Sequence, residues 1–516
     1  MKVVIKKNKC EEKNKIKKDT YLYSLKNNII INKIINKIND VTNKIKQNKI
    51  VNIVNNKINK LKQNKVINFI IKMLIIIVFI VLSIIIADKH EPWSDEAQSY
   101  LLARDTNFIE IFKYMKYEGT PPLWVFIIKI FLSLGGTYQT FYILPIIFST
   151  IGLILFEYKI KVPWYIKIIF PFTYFLFYQY TIVVRSYCLV FPLLMLIAIS
   201  YKKRFEKPGL FLLSLFLFMN ISLHTLMISG SLFLIYILDS IKNEKIYTKK
   251  NKITNIIIFF ELLLTTIVTI PSKECSFGTD NMTNLFHVIL ESTFGSGLNI
   301  YIEIILSMII LAILIFPLKK GEYFKFFLLF TPLIFIYIFI TFQVWHVGIV
   351  WLLLFTYLIL NNQINENKLI KIFILLVCIV QSTWTISSIN YDYYNKYSAG
   401  KDAANYLKEY VENDKIIYGL GYSKTAIQPY FDKNIFDNKI IDKAFNIWTK
   451  DRGELDKEKL INYAVDIYVV SDMYQERYPH VIKFLNDMNY EKQIIKGYTY
   501  IKDRVYETES YLIYIK

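Results

Sequence analysis

Apolar runs separated by short polar turns fill residues 66–387. The first, Val66 to Ala87, carries Lys72 as its only charge. Further runs lie near 121–134, 138–157, 163–181, 184–200, 209–222, 224–241, 253–270, 299–316, 323–341, 347–361 and 368–386. A run of about 18–20 apolar residues matches the hydrocarbon thickness of a bilayer. The pattern therefore predicts a polytopic α-helical membrane protein with about twelve spans, and 11–13 once short and closely spaced runs are allowed for.

The flanks read differently. Within residues 1–65, Ile31, Ile34, Ile38, Val41 and Ile45 follow 3,4-spacing, and Val51, Val54, Ile58 and Leu61 resume it. That spacing fits a basic amphipathic helix or a broken coiled-coil seam, and the composition fits a disordered arm equally well. After Asn390 helical and strand-like stretches alternate. Lys401–Val411, Lys424–Phe431, Leu455–Val465 and His480–Asn489 read as helices; Lys415–Leu420, Asp466–Ser471, Tyr498–Lys502 and Tyr511–Ile515 read as strands. The expected organisation is an arm (1–65), a membrane domain (66–390) and a small α/β soluble domain (391–516).

Composition agrees with the pattern: 54% of the 516 residues are hydrophobic. Charge adds orientation. Residues 1–65 hold 18 Lys and 4 acids, whereas residues 396–516 hold 19 Lys or Arg and 19 Asp or Glu. A basic flank before the first span places the N-terminus in the cytoplasm and residues 88–120 outside, in the plasma membrane of the cell. The basic arm suits anionic lipid better than nucleic acid, so no nucleic-acid partner is expected. No cleavable signal peptide is expected, because the first apolar run starts some 65 residues in. The balanced C-terminal domain is placed outside with residues 88–120, which requires an odd number of spans. Cys10, Cys188, Cys275 and Cys378 form no CxxC pair and read as inert. There is no GxxxxGK[ST] or HExxH.

The segment with most chemistry is His90–Asp105, HEPWSDEAQSYLLARD, at the exit of the first span. Asp95 and Glu96 are adjacent carboxylates that can accept a proton or hold a cation. Asp95 with Gln98 also fits a capping box, with Ala97, Leu101, Leu102 and Phe108 pressed on the bilayer. Downstream, Tyr117-Glu118-Gly119-Thr120-Pro121-Pro122-Leu123-Trp124 adds a third carboxylate, Glu118, before a Pro-Pro entry into a span.

A first span followed by WSDEA, an amphipathic helix ending in ARD, and EGTPPLW resembles the GT-C superfamily of polyprenyl-phosphate-sugar-dependent glycosyltransferases. The similarity is to glycosyltransferase family 39, the protein O-mannosyltransferases, and to the lipid A aminoarabinose transferases. In layout it covers roughly residues 66–390, and in motif only the first loop; Thr120 stands where a His is frequent. The resemblance implies sugar transfer from a polyprenyl-phosphate donor to a cell-surface glycan, lipid or protein, with inversion. Asp95 would be general base; Glu96 and Glu118 would orient the acceptor or, Asp95 with Glu96, bind a divalent cation. The leaving lipid phosphate would need a cation beside it.

Arg185 is the first candidate for that cation. It stands between two apolar runs with Gln179, Ser186 and Tyr187 nearby, where an ionisable residue usually marks function. His224, and His346 beside Gln343 and Trp345, read as cavity-lining groups or as links between helices. Two other classes fit the composition: a transporter or lipid flippase, using Asp95, Arg185 and the histidines as substrate sites, and a non-catalytic envelope assembly protein. The first is disfavoured by acids clustered in a loop instead of at the midplane.

Overall fold

The computed structural model describes residues 64–242, 248–273, 275, 285–339, 343–436, 443–448, 465–472 and 479–516. The amphipathic pattern of 31–61 lies outside them, as do residues 455–464 of the expected helix there. Contacts divide the chain into units Met1–Ile75 and Ile76–Lys516. Of the first unit the described part is the start of α1 (Lys65–Ala87), where Phe69, Ile70 and Leu74 are exposed.

Thirteen helices follow up to residue 394 that matter here. They are α2 (Ser94–Asp105), α3 (Phe108–Glu118), α4 (Leu123–Ser133), α5 (Ile143–Lys159), α6 (Val190–Tyr201), α7 (Pro208–Met219) and α8 (Leu223–Lys242). Then come α9 (Lys249–Thr269), α10 (Leu285–Glu291), α11 (Ile300–Ile315), α12 (Lys320–Phe339), α13 (Val347–Leu360) and α14 (Lys368–Tyr394). Six are long and apolar enough to cross a membrane: α1, α5 with the turn before it (Tyr138–Lys159), α8, α9, α12 and α14. Five more apolar helices have 10–17 residues. At 1.5 Å per residue these cover about 15–26 Å, less than a full hydrocarbon core. So most of the expected runs are α-helical, but only half reach spanning length among the described residues.

The largest departure falls on the expected span at 163–181. A short helix, Trp164–Ile169, gives way to a 3-10 turn at Phe170–Phe172, where Pro171 cannot donate to the ladder. A π-helix follows at Phe175–Ile182, then extended backbone to Arg185 (φ −134°, ψ 164°) and a 3-10 turn at Ser186–Leu189. The stretch is buried against α5, α13 and α14, and π-turns of this kind gather at functional sites. Its close seat on α13 depends on Gly348: a Cβ there would lie 2.6 Å from Phe175 Cδ1 and from Tyr180 Oη.

The C-terminal region contains α15 (Gly400–Glu412) and α16 (Pro479–Asp487). Its strands are β1 (Ile417–Gly419), β2 (Ile467–Ser471), β3 (Glu491–Ile495), β4 (Tyr498–Ile501), β5 (Arg504–Thr508) and β6 (Tyr511–Ile515). Four form a mixed sheet in the order β1-β2-β6-β3, with β1 and β2 parallel; β4 and β5 pair separately. Ala403, Ala404 and Leu407 of α15 pack on one face, with Ile417, Ile467 and Ile513. The expected helix at Lys424–Phe431 is instead a series of turns ending in a 3-10 turn at Gln428–Tyr430, with Pro429 inside it.

This region clamps α2. Arg104 donates to the Phe431 carbonyl at 2.8 Å, Lys443 Nζ to the Asp105 carbonyl at 2.7 Å, and the Ala444 N–H to Asp105 Oδ2 at 3.0 Å. Ala97, Leu101 and Leu102, expected on the bilayer, are therefore core residues, against α4 and the turn at Gln428–Tyr430. The exposed apolar face belongs to α3, with Phe108, Ile109 and Phe112. His90, just past α1, lies 3.0 Å from Asp392 near the end of α14, so both helices finish at the same side.

Candidate active site

The start of α2 sets the site. Its N-cap is Trp93, whose N–H donates to Glu96 Oε2 at 3.0 Å, so Glu96 does the capping that Asp95 with Gln98 was expected to do. The register is shifted by two residues, and this releases Asp95 and Gln98 for other contacts. Asp95 Oδ2 meets Arg185 Nη2 at 3.1 Å, joining residues 90 positions apart. Gln98 Nε2 donates to Glu118 Oε1 at 2.7 Å and to the Asn446 carbonyl at 2.8 Å.

Arg185 sits among aromatic rings. Its guanidinium carbon is 5.0 Å from the Trp345 ring centroid, 5.3 Å from Tyr187 and 6.0 Å from Trp93. Nη1 is buried and has no acceptor among the described residues. Behind Tyr187 lies His346, 5.6 Å between ring centroids, and His224 follows at 4.5 Å. His346 Nδ1 and His224 Nε2 are likewise buried without hydrogen-bond partners among the described residues. Such unmet groups cost free energy unless something fills them. A cation with one open edge, in apolar walls, suits an anion that brings its own oxygens. Gln179 Oε1 accepts from Tyr174 Oη at 3.0 Å.

Glu96 is wholly buried and both its oxygens are occupied. Oε1 accepts the Val184 N–H at 2.5 Å; Oε2 also faces His90 Nε2 at 3.3 Å. Asp95 and Glu96 thus turn to different partners. No group of three or more His, Cys, Asp or Glu able to hold a metal occurs among the described residues.

Two further carboxylates border Asp95. Burial pushes Glu118 up to about 7; hydrogen bonds from Gln98 and Trp448 oppose this and the charge of Asp95 reinforces it. Burial pushes Glu509 up to about 7 as well, against hydrogen bonds from Ser398 and Ser94. Glu509 comes from the C-terminal sheet region, and its Oε1 accepts the Ser94 N–H at 2.9 Å. Glu509, His90 and Asp392 were not singled out from the sequence. His90 opens the HEPWSDEA segment, which was a usable signal; an isolated acid after a span or beside a strand was not.

Both raised carboxyls bind their proton more tightly folded than unfolded. Their contribution to stability is fully present below the unfolded value of 4.5 and is lost as pH rises through about 7. The melting temperature in detergent should therefore fall between about pH 5 and about pH 7.5. Glu118→Gln and Glu509→Gln should each flatten the slope; an unchanged slope in the double variant would count against these assignments.

No family model, curated protein or solved structure matches this chain.

Proposed function

We propose that this chain is an integral-membrane glycosyltransferase that takes a sugar from a polyprenyl-phosphate donor and passes it to an acceptor at the cell surface. The observation that carries the reading is the Asp95–Arg185 pair, 3.1 Å apart, with the second arm of the guanidinium open in an aromatic enclosure. A base and a cation with a free hydrogen-bonding edge, side by side, are what the reaction requires.

Asp95 takes the proton of the acceptor hydroxyl or amine as that atom bonds to the anomeric carbon. The bond from that carbon to the phosphate oxygen breaks, and its electron pair leaves on the polyprenyl phosphate, which Arg185 neutralises. Attack opposite the leaving group inverts the centre. Before the donor arrives, Asp95 is paired with Arg185; a donor phosphate on the guanidinium then frees the carboxylate to act. Glu118 and Glu509 border the acceptor side, and Glu96 serves geometry.

The site groups stand at helix ends: Asp95 opens α2, His224 opens α8, His346 precedes α13 and Asp392 lies near the end of α14. Such placement favours chemistry at a membrane surface over a transporter's midplane site. With the basic arm cytoplasmic, that surface is the outer one, and the C-terminal region lies outside.

The test is a lipid extract. Cells depleted of the protein should accumulate a polyprenyl-phosphate sugar, seen by mass spectrometry, and should lack one sugar on a surface molecule. Unchanged lipid-linked sugars together with unchanged surface sugars would refute the reading.

A further inference from the structure

Beneath the Asp95–Arg185 pair lies a second, fully internal set of charges. His90 Nδ1 is 3.0 Å from Asp392 Oδ2 and its Nε2 is 3.3 Å from Glu96 Oε2. Both ring nitrogens face carboxyl oxygens, an arrangement that favours hydrogen on both, as in an imidazolium. Burial pulls His90 down, but Asp392 and Glu96 outweigh it and push it up to about 10. Tyr178 Oη donates to the same Asp392 oxygen at 2.8 Å. The far end is the Glu96 bond to the Val184 N–H, 2.5 Å long and one residue before Arg185.

Three parts are thereby tied together by charge and hydrogen bonds: the α1–α2 link, the end of α14, and the irregular stretch that holds Arg185. That stretch has no regular ladder at Val183–Arg185 to fix it. Two of its backbone bonds nearby are local, Val183 N–H to Tyr178 O at 3.2 Å and Arg185 N–H to Val183 O at 3.0 Å. The bond from Val184 to Glu96 reaches out of the stretch. Neither Glu96 oxygen is left to meet a substrate.

We infer that Glu96, His90 and Asp392 are positioning residues that hold the Val184–Arg185 backbone so that the guanidinium faces the donor phosphate. The inference rests on the phosphate reading of Arg185 proposed above. It predicts that the network acts on phosphate binding through Arg185 and not merely on stability.

The test uses the full-length chain in nanodiscs and undecaprenyl phosphate as the ligand, with binding read by native mass spectrometry. Glu96→Gln should weaken binding by at least about tenfold, since its amide would set a donor against the Trp93 N–H and His90. Asp392→Asn, which keeps volume and one acceptor, supplies a milder second variant with loss in the same direction. In an Arg185→Ala background neither change should weaken binding further, because a unit loses its effect only once. Two results overturn the inference: Glu96→Gln and Asp392→Asn binding as tightly as the unmodified chain, or their losses persisting in full without Arg185. No binding by the unmodified chain would instead bring down the phosphate reading itself, and this inference with it.

Discussion

Asp95→Asn should lower sugar transfer by about 10²–10⁴-fold, the range a positioned general base supplies, while leaving the fold in place. The substitution is nearly isosteric. Asparagine Oδ1 can still accept from Arg185 Nη2, which now lies 3.1 Å from the carboxylate. What disappears is basicity, together with a negative charge in the first turn of α2 that contributes about 0.3–1 kcal/mol by interaction with the helix dipole. The melting temperature should fall with loss of the counter-charge to the mostly buried Arg185, while the fold persists and initial transfer rates in proteoliposomes collapse. Glu118→Gln should not reproduce this loss, because Glu118 faces Gln98 and not the cation. Full transfer by Asp95→Asn would remove the base assignment and would favour a non-catalytic role for this loop.

The contrast between Asp95 and Glu96 shows where reading a sequence stops. Both were legible as carboxylates at the exit of an apolar run, and nothing in their order distinguishes them. On a helix, however, neighbours point about 100° apart. One residue reaches the Arg185 cation and is a third exposed; the other is sealed against His90 and Val184. The cap register decides which, and it was misread because Asp95 and Gln98 fit the capping pattern better than Trp93, whose side chain makes no cap hydrogen bond. Arg185 was legible for a different reason: a cation between apolar runs is costly enough to demand a function. Its distance from Asp95 was not, since that depends on tertiary packing across 90 positions.

Composition also hid the irregular stretch around Phe170–Leu189. A buried segment is apolar whatever its backbone does, so an apolar run cannot by itself distinguish a membrane helix from π and 3-10 turns wrapped in protein. Pro171 was the available clue. In the C-terminal region the hydrophobic strands β2 and β6 were readable, whereas β3, Glu-Lys-Gln-Ile-Ile at an exposed sheet edge, lacks the apolar alternation that marks a strand. Glu509 escaped notice because its significance comes from the Ser94 N–H, 415 positions away.

Arg185→Ala carries the second large effect, and it separates the transferase from its rivals. The guanidinium is mostly buried, pairs with Asp95 through Nη2 and leaves Nη1 to a ligand. Removing it deprives the departing phosphate of its compensating charge, a loss of about 10²–10³-fold where a preorganised donor acts in a water-poor site. Binding of undecaprenyl phosphate should weaken in parallel. Arg185→Lys should recover only part of either quantity: an ammonium keeps the charge but cannot bridge Asp95 and a phosphate with one planar fork, nor stack among Trp93, Tyr187 and Trp345 in the same way. The double variant Asp95→Asn with Arg185→Ala is the sharper measurement. If base and phosphate seat serve one displacement, the two losses should not multiply, and the double variant should transfer sugar about as slowly as the worse single one. A flippase that used the same pair only to bind substrate would instead lose donor transport in Arg185→Ala and retain it in Asp95→Asn, because asparagine preserves the hydrogen bond but not the base.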